Sequence, residues 1–250
     1  MIRRAFKAEL KKYLIEVRTY YPDHLVSMLI TYVMFAFFFI LNKENSDMGY
    51  YIGFLYWYLL SSVIGEASIS ISAEKQRGSL EQLLLKPIRF EFLIAIKTII
   101  WLLINLIKVL IVFVCLRLTI SFKIYFNFSL ILIFLLTLIG VFGITLLLVG
   151  LTLKYTKTAS FESILSYTLL FLTGAAIPYP QMPSWARYLG EFIPIGRGIR
   201  ISQMVFQFHR LPYGELLLLF VESIIWLLIG YLLFYRIYQS SRSDGLNRNY

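Results

Sequence analysis

Apolar residues are gathered along this chain into six runs separated by short polar breaks, and each run predicts an α-helix buried in lipid. The runs cover residues 25–41, 50–73, 92–116, 128–153, 159–177 and 215–235. Those at 50–73 and 92–116 are long enough for a hydrocarbon core about 30 Å thick. Residues 1–21 follow another pattern: Ile2, Phe6, Leu10, Tyr13, Leu14, Val17 and Tyr21 share one helical stripe, with Arg3, Arg4, Lys7, Lys11 and Lys12 largely off it. This is the mark of an interfacial helix on an anionic membrane surface. A soluble partner helix is the competing explanation, and the density of Lys and Arg favours the membrane. In the fourth run Gly140, Gly143 and Gly150 allow helices to approach closely in lipid. Residues 178–212 carry Pro178, Pro180, Pro183, Pro194 and Pro212 among apolar and aromatic side chains. They are too apolar for a free loop and too interrupted for a straight span. They predict short re-entrant helices in the outer leaflet, which need protein or a wet cavity around their backbone. The polar tail 239–250 predicts disorder.

The break between the second and third runs reads Glu74-Lys-Gln-Arg-Gly-Ser-Leu-Glu-Gln-Leu-Leu-Leu-Lys-Pro87. Ser79 and Gln82 have capping-box spacing, Gly78 permits a sharp turn, Glu81 lies in a first turn and Lys86 in a last one, and Pro87 prevents continuation. The prediction is a helix of about two turns over 79–86, marginal by itself. Leu80, Leu83 and Leu84 give it an apolar face that has to dock into something. A turn of helix lying on lipid headgroups is the competing explanation.

Composition agrees with a membrane protein: 59% of the 250 residues are hydrophobic, against about 45–50% in soluble domains. The formal net charge of +10 sits at the ends of apolar runs rather than in a polar domain, so anionic lipid and positive-inside orientation explain it better than nucleic acid. With a cytosolic N-terminus, fifteen Lys and Arg fall inside and seven outside, which predicts six spans with both ends in the cytosol of a cell-membrane protein. The first run follows 24 residues and lacks a cleavage pattern, so it reads as an uncleaved span. The one cysteine, Cys115, excludes a disulfide framework or thiolate metal site within the chain.

Four ionisable residues fall inside predicted spans: Glu66, Lys97, Lys108 and Glu222. Each costs about 2.5–3.5 kcal/mol at mid-membrane on insertion scales and so should face the bundle interior. Counting depth from the ends of the runs predicts two ion pairs, Glu66 with Lys97 and Lys108 with Glu222. Lys97, Trp101, Asn105 and Lys108 also share one helical stripe, as do Ser62, Glu66 and Ser70. The stripes could line a translocation path, or could be structural pairs with snorkelling lysines. Tyr50, Tyr51, Trp57, Trp185 and Trp226 fit aromatic interface belts. His24 and His209 are isolated, and no nucleophile, base and acid have an informative spacing, so no catalytic, cofactor or metal site is expected. A Gly-x-x-x-x-Gly-Lys-Ser/Thr phosphate loop is absent from the sequence, so nucleotide chemistry would need a partner.

The 74–87 segment resembles the cytosolic loop of type-2 ATP-binding-cassette exporter permeases, which carry Glu, a few residues, Gly-Thr/Ser-Leu-Glu-Gln-Leu-Leu and then Pro between their second and third spans. Ser79 stands where Thr is common and keeps the capping chemistry. Leu172-Thr-Gly-Ala-Ala-Ile-Pro-Tyr-Pro-Gln-Met-Pro-Ser-Trp185 is similar to the family's fifth span and outward re-entrant region. The resemblance implies an all-α integral membrane protein with six transmembrane helices, an N-terminal interfacial helix, a short cytosolic coupling helix and outer re-entrant helices. It implies a half-transporter that pairs with a second permease, identical or related, and binds two copies of a separate ATPase carrying ATP and Mg. The ATPase-coupling residues would be Glu74, Arg77, Gly78, Ser79, Leu80, Glu81, Gln82, Leu83, Leu84, Lys86 and Pro87. The cargo expected by analogy is an amphipathic drug, antibiotic or peptide, with sodium ion, lipid or polysaccharide as alternatives. A membrane sensor or immunity protein without ATP-driven transport is the alternative of a different class.

Overall fold

A computed structural model describes residues 2–41, 48–80, 82, 89–119, 127–155, 159–177, 179–208 and 210–243. Glu81, Leu83, Leu84, Lys86, Pro87, Pro178 and His209 lie outside the described residues, as does 244–250. Among the described residues there is no strand. The helices are α1 (Ile2–Thr19), α2 (Tyr21–Leu41), α3 (Met48–Gln76), α4 (Phe90–Thr119), α5 (Ser129–Lys154), α6 (Ala159–Leu172), α7 (Ser184–Glu191), α8 (Pro194–Phe208) and α9 (Tyr213–Ser243), with a 3₁₀ turn at Tyr179–Gln181. α1 gives way to α2 at Tyr20, just before Pro22, which cannot donate to the preceding turn and is favoured only near a helix start.

Five of these helices are long and apolar enough to cross a membrane: α2, α3, α4, α5 and α9. The expected span over 159–177 differs. Its helix, α6, has 14 residues, about 21 Å at 1.5 Å per residue and short of the bilayer core. The cause is local: Gly174 sits at φ +75, a left-handed position that ends a helix while returning amide bonds to it, here Thr173 N–H to Leu169 O and Ala176 N–H to Leu170 O. A Cβ on Gly190 would lie 1.9 Å from Leu172 O, and one on Gly140 would lie 2.6 Å from Pro194 Cγ, so the end of α7 meets the end of α6 and the start of α8 meets the middle of α5.

The centre is built from α3, α5, α8 and α9. α5 packs most extensively on α9, and the two run parallel: Gly140 lies against Ser223, Gly143 against Trp226 and Gly230, and Gly150 against Phe234. Here backbones touch, since a Cβ on Gly143 would stand 2.2 Å from Trp226 O and one on Gly230 2.0 Å from Gly143 O. Close approach of this kind replaces the hydrophobic drive that lipid does not supply. The main core joins Phe35, Phe54, Leu60, Ile64, Ile133, Val141, Ile195 and Ile199. α9 also extends past the expected end of its span: residues 239–243, expected to be tail, are helical because Tyr238 stacks on Phe234 and Phe90 and Ser241 is buried.

Candidate functional site

At the C-terminal end of α3 the chain turns through Gly78, whose φ of +70 is left-handed and open to Gly at no steric cost. Ser79 N–H and Oγ both reach the carbonyl oxygen of Glu74, at 3.0 and 3.2 Å, and the Ser79 hydroxyl also donates to the Glu74 carboxylate. The bonds that hold Ser79 therefore run back to α3, whereas the sequence suggested a cap on Gln82. The Glu74 carboxylate also receives Lys12 from α1. Glu74 thus joins three segments: the amphipathic helix, the end of α3 and the start of the 79–86 segment.

Leu80 requires a correction. It is 2% exposed, packed among Ala67, Ile71, Phe90, Leu93, Ile94 and Phe234. The apolar face expected to grip a partner is, at this position, turned into the chain's own bundle. Periodicity places Leu80 on an apolar face but does not say what covers it. Gln82 is exposed, as are Gln76 and Arg77.

The polar stripes of α3 and α4 do face each other. Asn105 Nδ2 donates to Ser62 Oγ at 3.2 Å and Lys97 Nζ to Ser70 Oγ at 3.1 Å. A step of eight residues along α3 thus matches a step of eight in the reverse direction along α4, which is antiparallel pairing in constant register. In that register Glu66 lies opposite Trp101, one turn away from Lys97. Neither expected ion pair exists. Lys97, fully buried, is drawn to α1: it donates to Tyr13 Oη at 3.0 Å and lies 3.4 Å from the Glu9 carboxylate. Tyr13 and Ser70 share a further hydrogen bond of 2.9 Å, and the Tyr13 ring meets Trp101 edge-on at 4.9 Å. Lys108 is buried and makes no ion pair among the described residues; Glu66 attracts it from a distance. Depth counted from run ends misplaced the register by a turn and left α1 out as a source of partners.

Glu222 takes its partner from α8, through Oε2, while its Oε1 is buried without a hydrogen bond. Arg197 Nε donates to that Oε2 at 2.5 Å, Arg197 NH1 to Glu215 at 3.0 Å and NH2 to Glu191 O at 3.2 Å. Arg200 donates to the Glu191 carboxylate at 2.6 Å, and that carboxylate also accepts the Tyr179 hydroxyl. Arg187 and Arg200 both lie 5.1 Å from the centre of the Tyr179 ring. Burial, with the hydrogen bond to Glu191, pushes the Tyr179 phenol up to about 12. Glu9, Glu191, Glu215, Arg197 and Arg200 were not singled out from the sequence. The available signal was Arg197 and Arg200 at i, i+3 on an otherwise apolar helix, which puts both cations on one side.

A cavity of about 120 Å³ opens beneath α1, between α3 and α4, with Glu16, Glu66, Arg77 and Trp101 in its wall. Among the described residues no group of three or more His, Cys, Asp or Glu is placed to hold a metal.

This arrangement defines a multi-pass, all-α membrane bundle strapped by an amphipathic helix. The chain belongs to the ABC-2 type transporter family: the family's membrane-domain model matches residues 2–206. No curated protein matches the chain. Membership makes it a transport permease, which is not itself catalytic, of the kind that works with an ABC ATPase.

Proposed function

We propose that this chain is the membrane half of an ATP-driven exporter of amphipathic compounds in the cell membrane, with both termini cytosolic. Two permeases, identical or related, would stand on two copies of a separate ATPase that binds ATP and Mg. The family match over residues 2–206 carries this reading. The 74–87 segment is its proposed ATPase contact. Leu80 would act as the internal anchor of that segment, with Glu81, Leu83 and Leu84 left as the face offered to the motor. Motion of the segment would reach α3 through Glu74, and α1 through the bond from Lys12.

Purification of the tagged full-length chain from its native membrane should bring down an ABC ATPase in equal amount. The substitutions Glu81→Lys and Leu83→Asp should each reduce that recovery about tenfold, because a charge is reversed or buried at the contact. Full recovery with both variants, or external labelling of a cysteine placed at position 82, would defeat the reading.

A further inference from the structure

We infer that the cavity beneath α1 is a binding site for an organic ammonium group, with the Glu66 carboxylate as its counter-ion. The inference deepens the export reading by naming a ligand chemistry. It rests on that reading for the ligand's fate but not for its binding.

Glu66 sits well inside α3, where an ionised carboxylate without a partner is costly. Among the described residues it makes neither a hydrogen bond nor an ion pair, although Lys12 and Arg77 share the cavity wall with it and Lys97 and Lys108 stand on α4. Lys97 is turned to Tyr13, Ser70 and Glu9. Lys12 is held by Glu74. Lys108 attracts Glu66 without touching it. Arg77 stands in the wall of the same cavity, eleven residues along α3 and about 16 Å of helix rise from Glu66 at 1.5 Å per residue. The carboxylate is therefore left facing a cavity that Glu16 also lines from α1, with the Lys12–Glu74 pair in its wall.

The walls select the kind of cation. Trp101 is 7% exposed and lines the space, and its indole N–H has no acceptor. Tyr13 stands edge-on to it. Ile69, on the same turn as Ser70, is 50% exposed and lines the space too, so the cavity has an apolar flank continuous with the lipid-facing surface. A metal ion would require several oxygen or nitrogen ligands, and the described residues place no three of the acidic, His or Cys type together. Carboxylates, an indole and an aliphatic flank are what an alkylammonium needs: charge pairing, an aromatic neighbour and cover for its carbon chain. The unsatisfied indole N–H suits a ligand with an oxygen close to its nitrogen. A free amphipathic amine and an aminophospholipid headgroup share this chemistry.

The test is calorimetric titration of the purified full-length chain with hexylammonium and with hexan-1-ol. The ammonium should bind about tenfold or more tighter than the alcohol, as expected for a charge-assisted contact out of water. Glu66→Gln should abolish that preference, and Glu16→Gln should reduce it severalfold, with the unfolding midpoint recorded for each. Should Glu66→Gln fail to fold, Glu16→Gln decides on the same criterion. Repeating the titration in nanodiscs separates the sources. If phosphatidylethanolamine weakens hexylammonium binding and phosphatidylglycerol does not, the site takes a lipid headgroup; equal binding in both assigns it to a free amine. Equal affinity for amine and alcohol, or an unchanged preference in folded Glu66→Gln, overturns the inference. Ammonium binding by a chain that recruits no ATPase would overturn the export reading alone, and recruitment without ammonium preference would overturn this inference alone.

Discussion

Each end of the bundle holds a basic residue whose number ends in 97, fully buried at one end and partly buried at the other, and they are held in opposite ways. At the α1 end, Lys97 is a point charge on a flexible stem, held by two hydroxyls and by a carboxylate at 3.4 Å. At the α8 end, Arg197 spreads its fork over Glu222, Glu215 and a backbone carbonyl, with Arg200, Glu191 and Tyr179 joined to the same network. Arginine's planar fork fixes several partners at once, whereas an ammonium fixes none in direction. Packing follows the same division. Around Arg197 the helices touch backbone to backbone through Gly140, Gly190 and Gly196, while around Lys97 side chains enclose a cavity. The difference teaches that one end is built as a clamp and the other as a seam that can open between α1 and the α3–α4 pair.

The strongest way to break this contrast is to separate the clamp's helices. A Cβ on Gly143 has no room, because the nearest atoms are Trp226 backbone atoms at 2.2 and 2.6 Å rather than the end of a flexible side chain. Gly143→Val should therefore destabilise the chain by about 3 kcal/mol or more and reduce the folded yield in detergent, read by fluorescence-detected size exclusion. Gly65, which has nothing within 4 Å of its missing Cβ, is the control: Gly65→Ala should leave the elution profile unchanged. Equal profiles for the two variants would show that the clamp is not close-packed.

A paired comparison of the two cations sharpens the contrast. Arg197→Met takes from Glu222 its bond to α8, leaves Glu215 with Arg200 at 3.9 Å and should cost about 3 kcal/mol; Lys97→Met removes the cation 3.4 Å from the Glu9 carboxylate and should cost about 2 kcal/mol, both at or below the usual range for breaking a buried pair. The second loss should be partly recovered by adding Glu9→Gln, which removes the charge that faced Lys97 while the Tyr13–Ser70 hydrogen bond persists. Arg197→Lys should recover less than half of the first loss, because an ammonium cannot bridge Glu215 and Glu222 as a fork does. Thermal unfolding of the four variants measures all of this. A full rescue by Arg197→Lys would mean that charge alone, without geometry, holds the clamp.

How much of this was legible follows from what periodicity encodes. A run of apolar residues reports a helix and its burial in lipid, so α2, α3, α4 and α5 could be read within a few residues of their bounds, and α9 at its start, though it runs eight residues past the expected end. Apolarity does not report where a helix stops inside lipid. The fifth run stays apolar through Ile177, and only Gly174, legible as a helix terminator but not weighed as one, marks the end of α6. Polar stripes gave the facing sides of α3 and α4, because spacing fixes a face. Register was not legible, since one turn of slip leaves every stripe intact and yet moves Glu66 from Lys97 to Trp101. The partners of Lys97 and Glu222 come from α1 and α8, which cross the bundle rather than run along it, and a pattern along one helix axis carries no record of such crossings. Leu80 illustrates the same limit: an apolar face predicts docking without naming the surface.

The smallest effect on stability should be the most informative about the seam. Lys12 is 41% exposed, so its pair with Glu74 is worth under about 1 kcal/mol once water screens it. Lys12 and Ser79 bond different oxygens of the Glu74 carboxylate, so in Glu74→Gln the one amide oxygen keeps one of them while the other loses its acceptor together with the charge, and the unfolding midpoint should move by about 1 kcal/mol in equivalent terms. If Glu74 carries motion from the 79–86 segment into α3 and α1, ATP hydrolysis by the assembled complex should lose its response to cargo severalfold, although the chain still folds. Gly78→Ala, which strains a left-handed backbone without touching that charge, should alter both readouts together. A Glu74→Gln complex with normal folding and a normal response to cargo would assign the Lys12–Glu74–Ser79 junction to structure alone, and would leave the seam to open without moving α1.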